Sequence, residues 1–248
     1  VAADGELPAL ILDAGTGLQQ LTPLLAGQPF RGTILLGHLH WDHTHGMPFF
    51  RGGTGPGHRV RVLLPEQGVD AAALLARVIS PPHFPINPHQ LGEGWEFGSI
   101  DEGRHDIEGF TVLALEIPHK GGRTFGFRVS DGRTSIAYLS DHSPLALGHG
   151  PEGLGAYHSA AMALAEGVDL LVHDAQHTAD ELPAKAYLGH SAVDYAVGLG
   201  IKAGAKRVAL FHHDPWRTDA SIDGFVASFS DAPVEVIGAY DGRVVELP

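Results

Sequence analysis

Residues 38 to 43 read His38-Leu39-His40-Trp41-Asp42-His43, which places four metal-capable side chains within six positions. Imidazole nitrogens and carboxylate oxygens suit Zn²⁺ and its first-row neighbours, and such a set serves hydrolysis when one coordination position stays open for water. The apolar run Thr33-Ile34-Leu35-Leu36-Gly37 precedes the cluster and predicts a buried strand. A chain leaving that strand as loop can turn alternate imidazoles the same way, so His38 and His40 can meet one ion. If it then coils into a helix, Asp42 and His43 are carried round toward a second.

Other candidate ligands stand at the ends of other apolar runs. His119 follows a strand ending at Ile117-Pro118, Asp141 follows Ala137-Tyr138-Leu139-Ser140, and His212 follows Ala209-Leu210-Phe211. Open α/β architectures place their sites at the carboxyl ends of strands. With the hexapeptide, these residues complete a two-metal set of neutral imidazoles and carboxylates.

The elements that must position them read as a mixture of strands and helices, with no linker and no short-period repeat. Strands are expected at Leu7 to Asp13, Arg59 to Leu64, Phe110 to Ile117, Thr124 to Val129, Thr134 to Leu139, Asp169 to Val172 and Arg207 to Phe211, and the apolar stretch Val234 to Gly238 follows near the end of the chain. Arg243 to Leu247 is expected to close the chain. Helical periodicity covers Leu18 to Leu25, Pro65 to Ile79, Ala156 to Glu166, Ser191 to Ala203 and Ile222 to Phe229. Ser80 to Pro88 holds four prolines and is expected to be irregular, serving as a rim loop or a rigid connector. The expectation is one domain over residues 1–248, in two layers of sheet covered by helices.

Composition narrows the function. The chain has 248 residues, of which 44% are hydrophobic and 18% charged, as in an ordinary globular protein. No apolar run approaches the roughly 18 residues that span a bilayer, so no membrane association is expected. The lack of cysteine removes disulfides, thiolate ligands and a thiol nucleophile, and is compatible with a reducing cytoplasm, the compartment expected. A net charge of −13 with scattered Lys and Arg disfavours extended nucleic acid as a partner, while a small anionic substrate could still be drawn in by metals.

The ordered series His38-x-His40-x-Asp42-His43, His119, Asp141 and His212 resembles that of the metallo-β-lactamase superfamily. Leu170-Leu171-Val172-His173-Asp174-Ala175, Gly189-His190-Ser191-Ala192 and Leu210-Phe211-His212 resemble its ribonuclease Z and small-phosphodiesterase branch. The resemblance implies an α/β (α+β) fold, a four-layer αββα sandwich with two divalent ions at one edge of the sheets. Zn is the expected metal, with Mn or Fe as alternatives. It implies that His38, His40 and His119 hold one ion, that Asp42, His43 and His212 hold the other, and that Asp141 bridges them. Relatives open with a further strand and a Gly-rich turn, so residues preceding Val1 are expected, and a homodimer is common among them.

Two divalent ions sharing a water lower its pKa toward neutrality and neutralise oxygens on the substrate. By the same resemblance His190 is the candidate proton donor to the leaving alkoxide, and Asp174 could orient or charge-stabilise its imidazole. Asp42 joins them as a candidate catalytic residue. His213 could exchange roles with His212, which the motif favours. His45 reads as a surface or supporting residue, His173 as supporting or simply buried, and Trp41 as a packing residue.

Several relatives are set aside. The common dinuclear β-lactamases carry Cys where Asp141 stands, and the oxygen-reducing di-iron relatives carry Glu in place of His40. Ribonuclease Z places a long tRNA-gripping arm between the third His and the bridging Asp, whereas His119 and Asp141 stand only 22 positions apart. The expectation is a dinuclear metallohydrolase acting on a small or cyclic phosphodiester. The alternatives are a lactone or thioester hydrolase, a tRNA 3′-processing endonuclease, and a non-catalytic metal-binding module.

Overall fold

The computed structural model describes residues 1–150 and 152–248, and the chain divides into two compact units. The first comprises Val1–Asp101 with Asp106–Gly109, and the second Glu102–His105 with Phe110–Pro248.

The first unit is built on a four-stranded parallel sheet in the order β1 (Leu10–Leu12), β2 (Arg31–Leu35), β3 (Arg59–Pro65), β4 (Trp95–Ile100). Thr33, Ile34 and Leu35 are all fully buried, because a parallel strand covered on both faces has no solvent side on which to alternate polar residues. Phe30, Phe50, Met47, Val62 and Leu64 fill its core, with the Phe30 and Phe50 rings meeting edge to face at 5.5 Å. The site-bearing segment after β2 coils into α1 (Trp41–Thr44), and α2 (Ala71–Ala76) is capped by Asp70, whose carboxylate accepts from the Ala73 N–H at 2.9 Å. The hairpin tip Asp106–Gly109 belongs to this unit because Glu108 accepts from Arg59 at 2.7 Å and from Thr33 Oγ1 at 2.7 Å.

The second sheet has seven strands. In chain order they are β5 (Gly103–Ile107), β6 (Phe110–Glu116), β7 (Phe125–Ser130), β8 (Ser135–Leu139), β9 (Leu170–Asp174), β10 (Arg207–Phe211) and β11 (Glu235–Gly238), and they lie side by side in that sequence. β6, β7 and β8 form an antiparallel meander, whereas β8 through β11 run parallel. Among the described residues the α-helices after the meander are α3 (Ser159–Ala165), α4 (Leu182–Lys185), α5 (Val193–Ala203) and α6 (Asp219–Ser228). Leu139, Leu164, Leu171, Leu199, Val208 and Leu210 form the buried centre of this unit. α5 ends where Gly204 turns left-handed at φ +71, a conformation other residues adopt at a cost.

Some expectations shift. Leu18 to Leu25 lies in a 3-10 segment, Thr16–Leu25, with Pro23 inside it. The helix expected over Pro65 to Ile79 is confined to Ala71–Ala76, since Pro65 completes β3 and Gly68 turns with φ +72. Pro88–Gln90 forms a short 3-10 turn at the end of the proline-rich stretch. β4 and β5 add strands beyond those expected, where polar residues such as Glu96, Arg104 and Asp106 blur the alternation. Arg243 to Leu247 closes the chain outside regular structure, with Val245 and Leu247 packed on Leu170, Ala209 and Ile237.

Candidate metal centre

In the first unit the cluster is clasped by the turn after β1. Asp13 N–H donates to Leu35 O at 2.8 Å, Ala14 N–H to His43 O at 2.8 Å, and Gly46 N–H to Ala14 O at 2.8 Å. Asp13, held at φ +62, accepts from Gly37 N–H at 2.6 Å through one carboxylate oxygen and meets His43 Nδ1 at 2.7 Å through the other. Burial pushes the Asp13 carboxyl up, but the His43 charge and hydrogen bond, the Gly37 N–H and His38 together bring it below the usual carboxylate range. The rings of His38 and His40 lie 4.3 Å apart, as do those of His38 and His43. His43 Nε2 lies 3.4 Å from Asp42 Oδ2. The hexapeptide thus gathers three imidazoles and a carboxylate.

In the second unit Asp141 is the hub, 1% exposed. Its Oδ2 lies 3.3 Å from His119 Nε2 and its Oδ1 lies 3.3 Å from His212 Nε2. His119 is oriented by Gly189, whose carbonyl sits 2.7 Å from Nδ1. A carbonyl only accepts, so the proton is on Nδ1 and Nε2 presents a lone pair. His212 stands at φ +52, an uncommon conformation for a non-glycine residue, with the Gln176 side-chain amide 3.1 Å from its Nδ1. His190 stacks on His212 at 4.9 Å, and ligand atoms of Asp141, His190 and His212 all lie within 4.8 Å of one another.

These geometries fit a metal. At His119 the imidazole lone pair and a carboxylate oxygen converge at 3.3 Å, and at His43, whose Nδ1 faces Asp13, the same convergence occurs on Asp42. Two acceptors at that distance repel unless a proton or a cation lies with them. The donor set is neutral nitrogen plus anionic oxygen, the chemistry of Zn²⁺, Mn²⁺ and Fe²⁺. Holding one imidazole nitrogen by a carboxylate or carbonyl while the other points inward is the usual support of a metal-ligating histidine.

Asp174 is fully buried, and its carboxylate accepts from His142 N–H at 3.0 Å and Gln176 N–H at 3.1 Å and meets His190 Nδ1 at 2.8 Å. His173 and His142 lie behind it in the core. Burial lowers the His173 imidazole to about 4 against the opposing pull of its Asp174 hydrogen bond. Burial, then the neighbouring His173 and His158, holds His142 well below its ordinary value.

Other candidates fall elsewhere. His213 turns its Nε2 to Ala239 O at 3.2 Å. Trp41 is 65% exposed and stacks on His45 at 5.4 Å, so it is not the packing residue expected. Asp13, Gln176 and His142 join the site through contacts that their spacing in the sequence does not announce. The Asp13-Ala14-Gly15 turn after an apolar run was the available signal for the first, and nothing local marks the others.

The profile of the β-lactamase superfamily domain matches residues 9–213, and the chain belongs to that family. Among curated relatives, the ribonuclease Z of Halobacterium salinarum is 37% identical over 92 residues, a match covering 37% of this chain and 29% of that protein. The ribonuclease Z of Bacillus anthracis is 30% identical over 224 residues, covering 72% of this chain and 69% of the relative. Two solved structures show the fold. Human tRNase Z, short form, aligns with a TM-score of 0.67 at 19% identity, covering 100% of this chain and 91% of the other. A diphosphatase of the PhnP family aligns at 0.65 and 20% identity, covering 99% and 82%. Among the described residues no helix is long and apolar enough to cross a membrane.

Proposed function

We propose that the protein is a dinuclear metal-dependent hydrolase of a small or cyclic phosphodiester. In this reading His38, His40 and His119 would hold one ion and Asp42, His43 and His212 the other, with Asp141 as the ligand they would share. The carrying observation is Asp141 itself, whose two oxygens each face a different imidazole nitrogen at 3.3 Å. Bound divalent ions, Zn most naturally for this N/O set with Mn or Fe as alternatives, would activate water and neutralise phosphate oxygens. The chain's own residues supply the rest. Asp13 and the Gly189 carbonyl fix the imidazoles, and Asp174 sets His190 so that its Nε2 can give a proton to the departing alkoxide. The PhnP-family diphosphatase fold and the ribonuclease Z relatives both favour phosphate chemistry.

A second reading, cleavage of tRNA 3′ ends, is favoured by the names of those relatives. Against it, the interval from His119 to Asp141 is occupied by β7 and β8, and the net charge is −13. A panel of bis-aryl phosphate, cyclic nucleotides and precursor tRNA decides the matter, run with Zn²⁺ and Mn²⁺ and with Asp141→Ala as the blank. Turnover of the small esters alone is expected. Turnover of precursor tRNA alone would establish the second reading, and no phosphodiester turnover would overturn both.

A further inference from the structure

A line of three imidazoles lies behind Asp174, and its hydrogen bonds admit one arrangement of protons. His173 Nδ1 is 2.7 Å from the Asp174 carbonyl oxygen, which can only accept, so the His173 proton is on Nδ1. His173 Nε2 is therefore an acceptor, and His142 Nδ1, 2.9 Å away, must donate to it. His142 Nε2 is left as an acceptor, and His158 Nε2, 2.7 Å away, must donate in turn. That leaves His158 Nδ1 as an acceptor, and it faces the Ala161 N–H at 3.5 Å, a group that can only donate. The line is bounded by a pure acceptor at one end and a pure donor at the other. Three neutral rings fill it with every proton assigned and none to spare.

The line brackets Asp174. His173 is its chain neighbour, and the His142 N–H donates to the same Oδ2 that meets His190 Nδ1. The rings of His142 and His173 each lie 5.6 Å from that of Tyr195, which is 1% exposed, and both histidines are fully buried. The line cannot conduct a proton to the site, because its inner end is a carbonyl oxygen. What it can do is resist displacement, since moving either inner ring breaks a buried hydrogen bond.

We propose that His158, His142 and His173 form a positioning strut, locked in a single tautomer pattern, that holds the Asp174 carboxylate against His190. All three are positioning residues, acting through Asp174. The catalytic consequence rests on the reading of His190 as the donor to the leaving group, whereas the proton pattern does not.

¹⁵N NMR of the metal-free protein at neutral pH, with selectively labelled histidine, tests the pattern directly. The expected result is Nδ1–H on His173 and His142 and Nε2–H on His158; any other pattern, or a cationic ring among the three, overturns the proposal. The strut is tested by His158→Leu, which deletes the outer donor, against His158→Gln, whose amide can restore it. In His158→Leu the low-field proton of His190 Nδ1 is expected to broaden or move upfield. Turnover of an alkyl phosphodiester is expected to fall about tenfold further than that of an aryl one, at little change in KM. His158→Gln is expected to recover both. A His158→Leu protein with an unaltered His190 resonance overturns the strut, and should that variant fail to fold, the wild-type pattern and His158→Gln still decide. If His190→Ala slows alkyl and aryl esters alike, the donor reading fails instead, while the resonances continue to judge the strut.

Discussion

His190 Nδ1 and Asp174 Oδ2 lie 2.8 Å apart, and the same carboxylate is pinned by the backbone N–H groups of His142 and Gln176. The pinning matters because one backbone N–H on each oxygen fixes the plane of a buried carboxylate and so holds Oδ2 where His190 Nδ1 meets it. His190 is thereby fixed with its Nε2 turned away from Asp174, and the stacking on His212 at 4.9 Å sets the plane of the ring.

Asp174→Asn should therefore affect the leaving-group step rather than binding. An alkoxide needs a proton on departure, whereas a nitrophenolate leaves unaided, so kcat for an alkyl phosphodiester should fall about 10²-fold and that for a nitrophenyl ester much less. Steady-state kinetics on a leaving-group series checks this, and an equal loss across the series would refute it.

On the first unit, the contact between Asp13 and His43 carries a separate expectation. Asp13 meets His43 Nδ1 at 2.7 Å and leaves Nε2 for coordination. Asp13→Asn keeps the shape but removes the charge that supports the imidazole, and such losses weaken metal affinity about 10–100-fold. Competition with a chromophoric chelator measures it. The expected result is one weakened ion of two, and two unchanged ions would show that Asp13 serves packing only.

Gly46 tests how tightly that loop is built. A Cβ there would collide with the carbonyl oxygen of Gly15, and Gly46 N–H already donates to Ala14 O, so the backbone segments are in direct contact. Gly46→Ala should cost about 3 kcal/mol of stability by forcing them apart and should lower metal content as well. Urea unfolding of the metal-free protein and metal analysis of the loaded protein check the two halves.

The difference between what sequence spacing revealed and what it concealed is physical. His38 to His43 was legible because all its members lie within two turns of chain, and His119, Asp141 and His212 because each ends an apolar run. Asp13 was not, since its partner His43 lies 30 positions on and the meeting is made by the parallel pairing of β1 with β2. The imidazole line was hidden for the same reason. His142, His158 and His173 are brought together by the β8–β9 pairing and the start of α3, and nothing in their spacing encodes a contact. β4 and β5 escaped because strand pairing, rather than side-chain alternation, sustains them.

Acid sensitivity follows from the buried rings. His173 has its imidazole lowered from 6.5 to about 4, so between those values the unfolded chain takes up a proton that the folded chain refuses. Stability is then fully present above pH 6.5 and is lost as the pH falls toward 4, by roughly 3 kcal/mol for a shift of this size. His142 and His158 are also lowered and act in the same direction. Urea unfolding of the metal-free protein at pH 7 and at pH 4.5 should show this fall. His173→Gln, which has no proton to gain, should start less stable at pH 7 and lose less on acidification. A wild type and a variant with parallel pH profiles would mean that the loss comes from other groups.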